Sequence, residues 1–217
     1  MKPDTNTLII ALILLSASTV FSYAKNIEQA SLSKDEIESL TYMREEEKLA
    51  HDVYVALYEK WKNPIFNTIS ESEQRHMDAI LQLLNKYDLP DPAGNKGTGV
   101  FTNTRLQELY NQLVEQGSRS MKDALKVGIT IEDLDIFDLT NAMSKINHED
   151  IKMVYDNLNR ASRNHLRSFY SNILSAGETY TPQYISRETF DAIISSPVER
   201  GKENHKGGGN HRGKGKN

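Results

Sequence analysis

The sequence contains no cysteine. This absence excludes a disulfide framework, a thiolate nucleophile, cysteine-ligated zinc and iron–sulfur clusters. Any metal that the protein binds must therefore be held by oxygen atoms and imidazole nitrogens. A lipoprotein anchor is excluded as well, because it needs a cysteine at the boundary of the leader.

Patterns of alternating strand residues and short internal repeats are also absent, and the periodicity of the chain is helical. Of the 217 residues, 38% are hydrophobic and 26% are charged. This balance is typical of a soluble globular protein of one or two domains that buries a real core. We therefore predict an all-α fold.

The first segment has the pattern of an export signal. Residues 5–24 carry no charge, and their apolar run 8–15 is followed by small residues that end in a plausible signal-peptidase site at Ala24. We predict that residues 1–24 are a signal peptide. The mature protein is then exported to the periplasm or outside the cell, with no stable membrane insertion after cleavage. The alternative is an N-terminal membrane anchor, since about 20 uncharged residues can span a bilayer.

The last segment, residues 199–217, has six basic residues, two acidic residues and no apolar side chain. Such a segment cannot fold alone, so we predict a disordered, basic, glycine-rich tail that can touch anionic surfaces. The body between leader and tail, residues 25–198, has a charge of about −8. Nucleic-acid binding is disfavoured, because the body is acidic and the tail has no aromatic side chains that could stack on bases.

Capping signals divide the body into helices. Ser33 and Glu36 form a capping box at the first helix, and Asn63 with Pro64 supplies the cap and the first turn of the second. Two long helices, a longer crossover and two more long helices give the connectivity of a four-helix bundle with one crossover. The predicted helices cover about residues 33–61, 64–88, 104–116, 120–146, 150–176 and 187–194. We expect the fourth of them to be interrupted or kinked near Gly128 and to restart at residues 130–133.

Polar side chains interrupt the apolar stripes that these helices would turn toward the core. Glu73 and His76 lie on such a stripe of the second helix, and Glu47 lies on that of the first, whereas Glu45 and Glu46 fall on rows that we expect in solvent. Burying an ionised carboxylate without a partner costs several kcal/mol, and a metal ion can compensate. Residues three apart on a helix are separated by ~4.5 Å along its axis, so Glu73 and His76 can reach one point.

Polar side chains also interrupt the apolar stripes of two further helices. Glu132 and Asp135 repeat the separation of three residues, and His165 faces inward on the last long helix. Four helices therefore each offer a ligand-capable group to one interior. Carboxylates and imidazoles without thiolates suit iron, manganese or zinc, and bridging carboxylates can hold two such ions. Two divalent cations would also neutralise the acids in a dry core.

These residues also have ordinary explanations. Glu73 could close a capping box with Ser70, and Asp133 could do the same with Thr130. A single inward histidine is more often hydrogen-bonded in the core than bound to a metal. Each of four helices places a ligand-capable side chain on its inward face, and this coincidence favours one shared site over four unrelated buried polar residues.

Four segments of the chain carry a family resemblance. They are Arg44-Glu-Glu-Glu47-Lys-Leu-Ala-His-Asp-Val-Tyr54, Ser72-Glu-Gln-Arg-His76-Met, residues 131–139 and Ser162-Arg-Asn-His165-Leu-Arg. Together they resemble an uncharacterised bacterial and archaeal branch of the ferritin-like superfamily, related to rubrerythrin and bacterioferritin, over about residues 33–194. The resemblance implies a left-handed four-helix bundle with one long crossover and short accessory helices. In this superfamily a metal pair is held by one Glu from each of two helices and a Glu-x-x-His from each of the other two.

The second Glu-x-x-His motif is broken in this chain. Ser162 stands where the motif has its glutamate, and a neutral hydroxyl cannot bridge two metals as a carboxylate does. Rubrerythrin-like proteins carry an extra acid three residues after the glutamate that Glu132 matches, so Asp135 is a provisional source of the missing oxygen. Carried over residue by residue, the candidate metal ligands are Glu47, Glu73, His76, Glu132, His165 and Asp135.

The resemblance implies two divalent metal ions, with iron favoured and manganese or zinc as alternatives. We expect an exported di-metal oxidoreductase that handles O₂ or peroxide, and a homodimer is left open. The sequence assigns no catalytic residue, substrate or reductant. The alternatives are a non-catalytic metal-binding module, in which the change at Ser162 has removed redox activity, and a structural helical bundle. A hydrolytic triad is disfavoured, because no Ser, His and Asp share a nucleophile-elbow context.

Overall fold

The computed structural model describes residues 31–201, so the predicted leader and nearly all of the predicted tail lie outside the described residues. Within residues 31–201 the chain forms six helices and no strand, which confirms the all-α prediction. In that range no helix is long and apolar enough to cross a membrane. The helices, α1 to α6 in chain order, are Lys34–Trp61, Pro64–Lys86, Thr104–Gly117, Met121–Met143, Glu149–Ser175 and Arg187–Ser195.

The predicted caps start the first two helices. The Ser33 side chain accepts the Glu36 N–H, and the Glu36 carboxylate accepts the Ser33 N–H at 2.8 Å, so the capping box is present. Asn63 caps α2 through its side chain, and Pro64 occupies the first helical position. Lys62 ends α1 in the left-handed region, with φ +51°. Because only Lys62 and Asn63 link α1 to α2, the two helices are antiparallel neighbours.

Four long helices enclose a shared interior. Helix α1 packs against α2, and α4 packs against α5, while the two pairs meet through α1 with α4 and α2 with α5. Helix α3 lies in the crossover and packs on α1 and α4, and α6 packs on α5. The crossover therefore covers one side of the first and fourth helices.

Apolar side chains in the described part of the chain form two clusters at opposite ends of this interior. One cluster includes Tyr54, Phe66 and Phe169. The other includes Leu40 and Tyr155. On α1, α2 and α5, the polar residues singled out in the sequence lie between the residues of the two clusters, whereas on α4 Glu132 and Asp135 alternate with Ile131 and Ile136 of the first cluster. A polar layer is thus enclosed by apolar packing on both sides, which keeps bulk water away from it.

Helix α4 continues through Gly128, so the predicted interruption is wrong. A Cβ atom at Gly128 would lie 2.6 Å from the Phe169 ring, which means that glycine allows α4 and α5 to approach closely here. The Thr130 hydroxyl donates to the Lys126 carbonyl within the helix at 2.9 Å, and it does not cap a new helix. The glycine therefore serves packing between helices and does not break α4.

Two buried acids hold loops against the helices. Asp133, which is fully buried, accepts hydrogen bonds from the Tyr180 hydroxyl and from the N–H groups of residues 183–185. Glu45 accepts the N–H groups of residues 102–103 in the crossover. The expectation that Glu45 lies in solvent is wrong: it is 3% exposed, because the crossover covers it.

Glu36 joins the start of α1 to the start of α5. Its Oε1 atom accepts the N–H groups of Asn147 and His148 at 2.8 and 3.0 Å, and it lies 2.8 Å from the His148 Nδ1 atom. Its Oε2 atom accepts hydrogen bonds from Ser33. Burial raises the pKa of Glu36, but the hydrogen bonds from His148 and from the backbone outweigh it and lower the pKa to about 2.

Two further side-chain contacts fasten helix ends. Trp61, the single tryptophan, donates from Nε1 to the Gly117 carbonyl at 2.9 Å and so ties the end of α1 to the end of α3. Glu199 forms ion pairs with Arg163 at 2.6 Å and Arg167 at 2.8 Å. The packed part of the chain therefore reaches at least the first residue of the predicted tail.

Candidate metal centre

The structure brings the predicted site residues into the polar layer of the interior. The His165 side chain is 12% exposed, and the other five residues are between 1% and 7% exposed. All are carried by helix interiors, so their backbones are fixed by helical hydrogen bonds. They are Glu47 on α1, Glu73 and His76 on α2, Glu132 and Asp135 on α4 and His165 on α5.

One triad of ligand-capable atoms is formed by Glu47, Glu73 and His76, whose donor atoms lie within 4.8 Å of one another. The His76 Nδ1 atom is 2.7 Å from Glu73 Oε2 and 3.1 Å from Glu47 Oε2. Helix α2 is continuous here, and the Ser70 hydroxyl donates to the Asn67 carbonyl. Glu73 is therefore a residue of the interior and not part of a capping box.

A second triad is formed by Glu73, Glu132 and His165, again within 4.8 Å of one another. The His165 Nδ1 atom is 2.9 Å from Glu73 Oε1 and 3.5 Å from Glu132 Oε2. Glu73 thus belongs to both triads, and each of its oxygens faces a different histidine. The rings of His76 and His165 are stacked with centroids 5.8 Å apart. A carboxylate shared in this way is the geometry that can bridge two adjacent cations.

Several polar atoms of this layer have no hydrogen-bond partner among residues 31–201. They include Glu47 Oε1, Glu73 Oε1, Asp135 Oδ1 and His165 Nδ1. Glu73 Oε1 and His165 Nδ1 are close, but their angles do not form a hydrogen bond. Buried polar atoms are almost always bonded, and leaving one unsatisfied costs about 1–3 kcal/mol. Carboxylate and imidazole atoms that converge without hydrogen-bond partners form a set of ligands that a metal ion can satisfy.

The charges of the layer shift its pKa values strongly. Burial raises the pKa of Glu73, but the charges of His76 and His165 outweigh it and hold the pKa below its usual range. Burial lowers the pKa values of the histidines, yet the nearby carboxylates raise that of His165 to about 10 and that of His76 well above 6.5. Burial raises the pKa of Glu47 to about 7 and also raises that of Glu132. Without metal, the imidazoles hold protons that a bound cation would displace.

Asp135 lies beside the triads and joins neither of them. The fully buried Ser162 hydroxyl donates to its Oδ2 atom. Burial and the charges of Glu47 and Glu132 raise the pKa of Asp135 well above its usual value. Asp135 therefore lies next to Ser162, the position at which the ferritin-like resemblance would place a glutamate.

Two residues beside the triads were not predicted to lie there. The Tyr54 hydroxyl donates to Glu132 Oε1 at 2.6 Å and fixes that carboxylate. Glu46, which we expected in solvent, is 3% exposed, so that expectation is wrong. Helix α4 covers the row of α1 on which Glu46 lies. Tyr42 precedes Glu46 by one helical turn, so the two residues share a row of α1, and this spacing was the available signal that Glu46 faces another helix. The three consecutive glutamates of α1 obscured that signal.

The fold and the site together define an all-α protein with a buried layer of carboxylates and histidines. Residues 36–197 match the family described as "Uncharacterized protein domain (DUF2202)", and the chain belongs to that family. It is 54% identical over 182 residues to the uncharacterized protein MJ0754 of Methanocaldococcus jannaschii, covering 84% of this chain and 98% of that protein. The crystal structure of hypothetical protein MJ0754 from Methanococcus jannaschii DSM 2661 matches with a TM-score of 0.77 and 56% identity, over 78% of this chain and 97% of that chain.

Proposed function

We propose that this protein is an exported ferritin-like four-helix-bundle protein that binds two divalent cations, with iron favoured, and acts as an oxidoreductase on O₂ or peroxide. The observation that carries the proposal is the sharing of Glu73 by two triads that also contain His76 and His165. The proposal rests on the geometry of the site and on the ferritin-like sequence motifs.

The residues divide naturally between two cation positions. Glu47 and His76 would hold one cation, Glu132 and His165 would hold the other, and Glu73 would bridge them. The bound pair would supply the redox chemistry. Tyr54 orients the Glu132 carboxylate through its hydrogen bond, and the two apolar clusters exclude water from the layer. These arrangements support tight binding, because ligands whose positions are fixed lose little freedom when a cation arrives.

A second candidate function is metal binding without catalysis. It is favoured by Ser162, which leaves this site with one bridging carboxylate where the related motif supplies two. The side chain of the neighbouring Asp135 is one methylene group shorter than that of glutamate, and its carboxylate already accepts a hydrogen bond from the Ser162 hydroxyl. A tightly bound ion with no turnover of O₂ or peroxide would select this function over the first.

Metal stoichiometry tests the proposal. The protein is purified without chelator, loaded anaerobically with Fe(II), and its metal content is measured by elemental analysis. We expect two ions per chain. Glu73→Gln should lose both ions, because both positions use Glu73, whereas Glu47→Gln should lose one preferentially. Glu71→Gln changes an exposed acid two residues from Glu73 and should keep both ions.

The same preparations separate the candidate functions. A bound metal stabilises only the native state, and a ligand at 100 times its dissociation constant adds about 2.7 kcal/mol. Chelation should therefore lower the melting temperature of the wild-type protein and leave that of Glu73→Gln unchanged. Less than half an ion per wild-type chain would overturn metal binding. Two bound ions without consumption of O₂ or peroxide would overturn the oxidoreductase and leave the binding function.

A further inference from the structure

A row of acids leads outward from the two triads along α4. Glu132, Asp135 and Asp138 follow one another at intervals of three residues, so the row extends ~9 Å along the helix axis. Glu132 and Asp135 are 2% and 6% exposed, whereas Asp138 is half-buried. The row therefore begins in the candidate metal centre and ends at the surface of the protein.

Glu46 adds a fourth carboxylate to this row from α1. It is 3% exposed, and neither of its carboxylate oxygens has a hydrogen-bond partner in the described part of the chain. Tyr42, one helical turn before Glu46, is hydrogen-bonded to Asp138, so the face of α1 that carries Glu46 is packed against the acidic row of α4. A buried acid between two other acids is unfavourable unless a positive charge is shared among them.

The outer end of the row opens into two surface cavities. Their volumes are about 350 and 340 Å³, and Tyr42, Arg105 and Asp138 line both of them. The Tyr42 hydroxyl donates to Asp138 Oδ2 at 3.1 Å and holds this carboxylate in the lining that the two cavities share. A hydrated ion that enters either cavity thus meets Asp138 before it meets the buried acids.

We propose that Asp138, Glu46 and Asp135 form an entry path by which divalent cations reach the two triads. The inference rests on the proposed function of the site. A cation leaving water needs replacement oxygens at each step, and closely spaced carboxylates supply them. The unpartnered oxygens of Glu46 would then bind the cation transiently as it moves from the surface to the ligands.

Arg105 provides a charge of the opposite sign at the mouth of this path. It is exposed and lines both cavities, so its guanidinium repels an incoming cation while Asp138 attracts it. Charges that line a cleft change the rate of entry of an ion through the local potential. Removal of Arg105 should therefore have the opposite effect on entry from removal of Asp138.

The test is the rate of metal loading, which does not depend on catalysis. Metal-free full-length protein is mixed with Co(II), and the visible absorption of bound cobalt is followed by stopped flow. Glu46→Gln and Asp138→Asn should slow loading by at least about tenfold while the final cobalt content stays at two per chain. Arg105→Gln should accelerate it. Asp156→Asn, at an exposed position of α5 outside the row, is the control and should load like the wild type.

The outcomes are distinct. Wild-type loading rates in both Glu46→Gln and Asp138→Asn would overturn the path and leave the metal centre intact. A lower final cobalt content in either variant would also overturn it, because that residue would then be a ligand. Failure of the wild-type protein itself to bind cobalt would instead overturn the proposed function. If circular dichroism shows that Glu46→Gln does not fold, the loading rates of Asp138→Asn and Arg105→Gln test the path, because Asp138 is half-buried and Arg105 is exposed.

Discussion

Replacement of Glu36 by glutamine tests the electrostatic link between α1 and α5. The Glu36 carboxylate accepts hydrogen bonds from Ser33, from the backbone of residues 147–148 and from the His148 ring. These interactions lower its pKa from 4.5 to about 2. A shift of this size corresponds to about 3 kcal/mol of native-state stability, since each pKa unit is worth about 1.4 kcal/mol.

The sign of the pH dependence follows from the direction of the shift. A carboxyl group whose pKa is lower in the folded state stabilises the fold above its pKa in the unfolded chain. That stabilisation is lost as the pH falls from about 4.5 toward about 2, where Glu36 becomes protonated even in the native state. We therefore expect Glu36→Gln to reduce the free energy of unfolding by about 3 kcal/mol at neutral pH, and by much less near pH 2.

Urea unfolding of the metal-free protein, followed by far-ultraviolet circular dichroism at a series of pH values, measures this difference. Glu38→Gln is the matched control, because Glu38 is exposed on the same helix and, within residues 31–201, forms an ion pair with the exposed Lys34 alone. It should change the free energy of unfolding by less than about 0.5 kcal/mol. A loss for Glu36→Gln that is equally large at neutral pH and near pH 2, or below about 1 kcal/mol throughout, would refute the reasoning.

Two further predictions concern the interior. Gly128→Ala should lower the free energy of unfolding by about 1–3 kcal/mol, because the new methyl group meets the rigid Phe169 ring at 2.6 Å. In the same urea titration Gly97→Ala, whose Cβ meets nothing within 4 Å, should show no loss, and equal behaviour of the two variants would contradict the packing argument. Tyr54→Phe removes the donor that fixes Glu132 and should weaken metal affinity by about tenfold while two ions still bind at saturation. Isothermal titration calorimetry with Co(II) measures this affinity, and an unchanged value would show that Tyr54 serves packing alone.

Helix boundaries that depend on local signals could be predicted from the sequence. The capping box of Ser33 and Glu36 and the pair Asn63 and Pro64 mark the starts of α1 and α2 correctly, because the interactions involve neighbours in the chain. Gly128 was misinterpreted, since its role depends on an aromatic ring from another helix. A glycine that breaks a helix and a glycine that admits a neighbouring helix look the same in one sequence.

Helical periodicity was sufficient to predict the part of the candidate site that depends on each helix alone. Interruption of apolar stripes identified the five residues that form the two triads, because each side chain lies on the inward face of its own helix. The burial of Glu45 and Glu46 was not predictable, since the crossover and α4 cover them from elsewhere in the chain. The position of Asp135 beside Ser162 likewise depends on how α4 and α5 pack. Metal binding, export and redox activity stay predictions.

The position of Trp61 has a practical consequence for spectroscopy. Its indole lies at the end of α1 opposite Glu36, ~37 Å away along the helix axis, and it is hydrogen-bonded to the Gly117 carbonyl. As the single tryptophan, it makes intrinsic fluorescence emission a reporter of one end of the molecule alone. Fluorescence and circular dichroism curves that do not coincide would then reveal that the two ends of α1 melt separately.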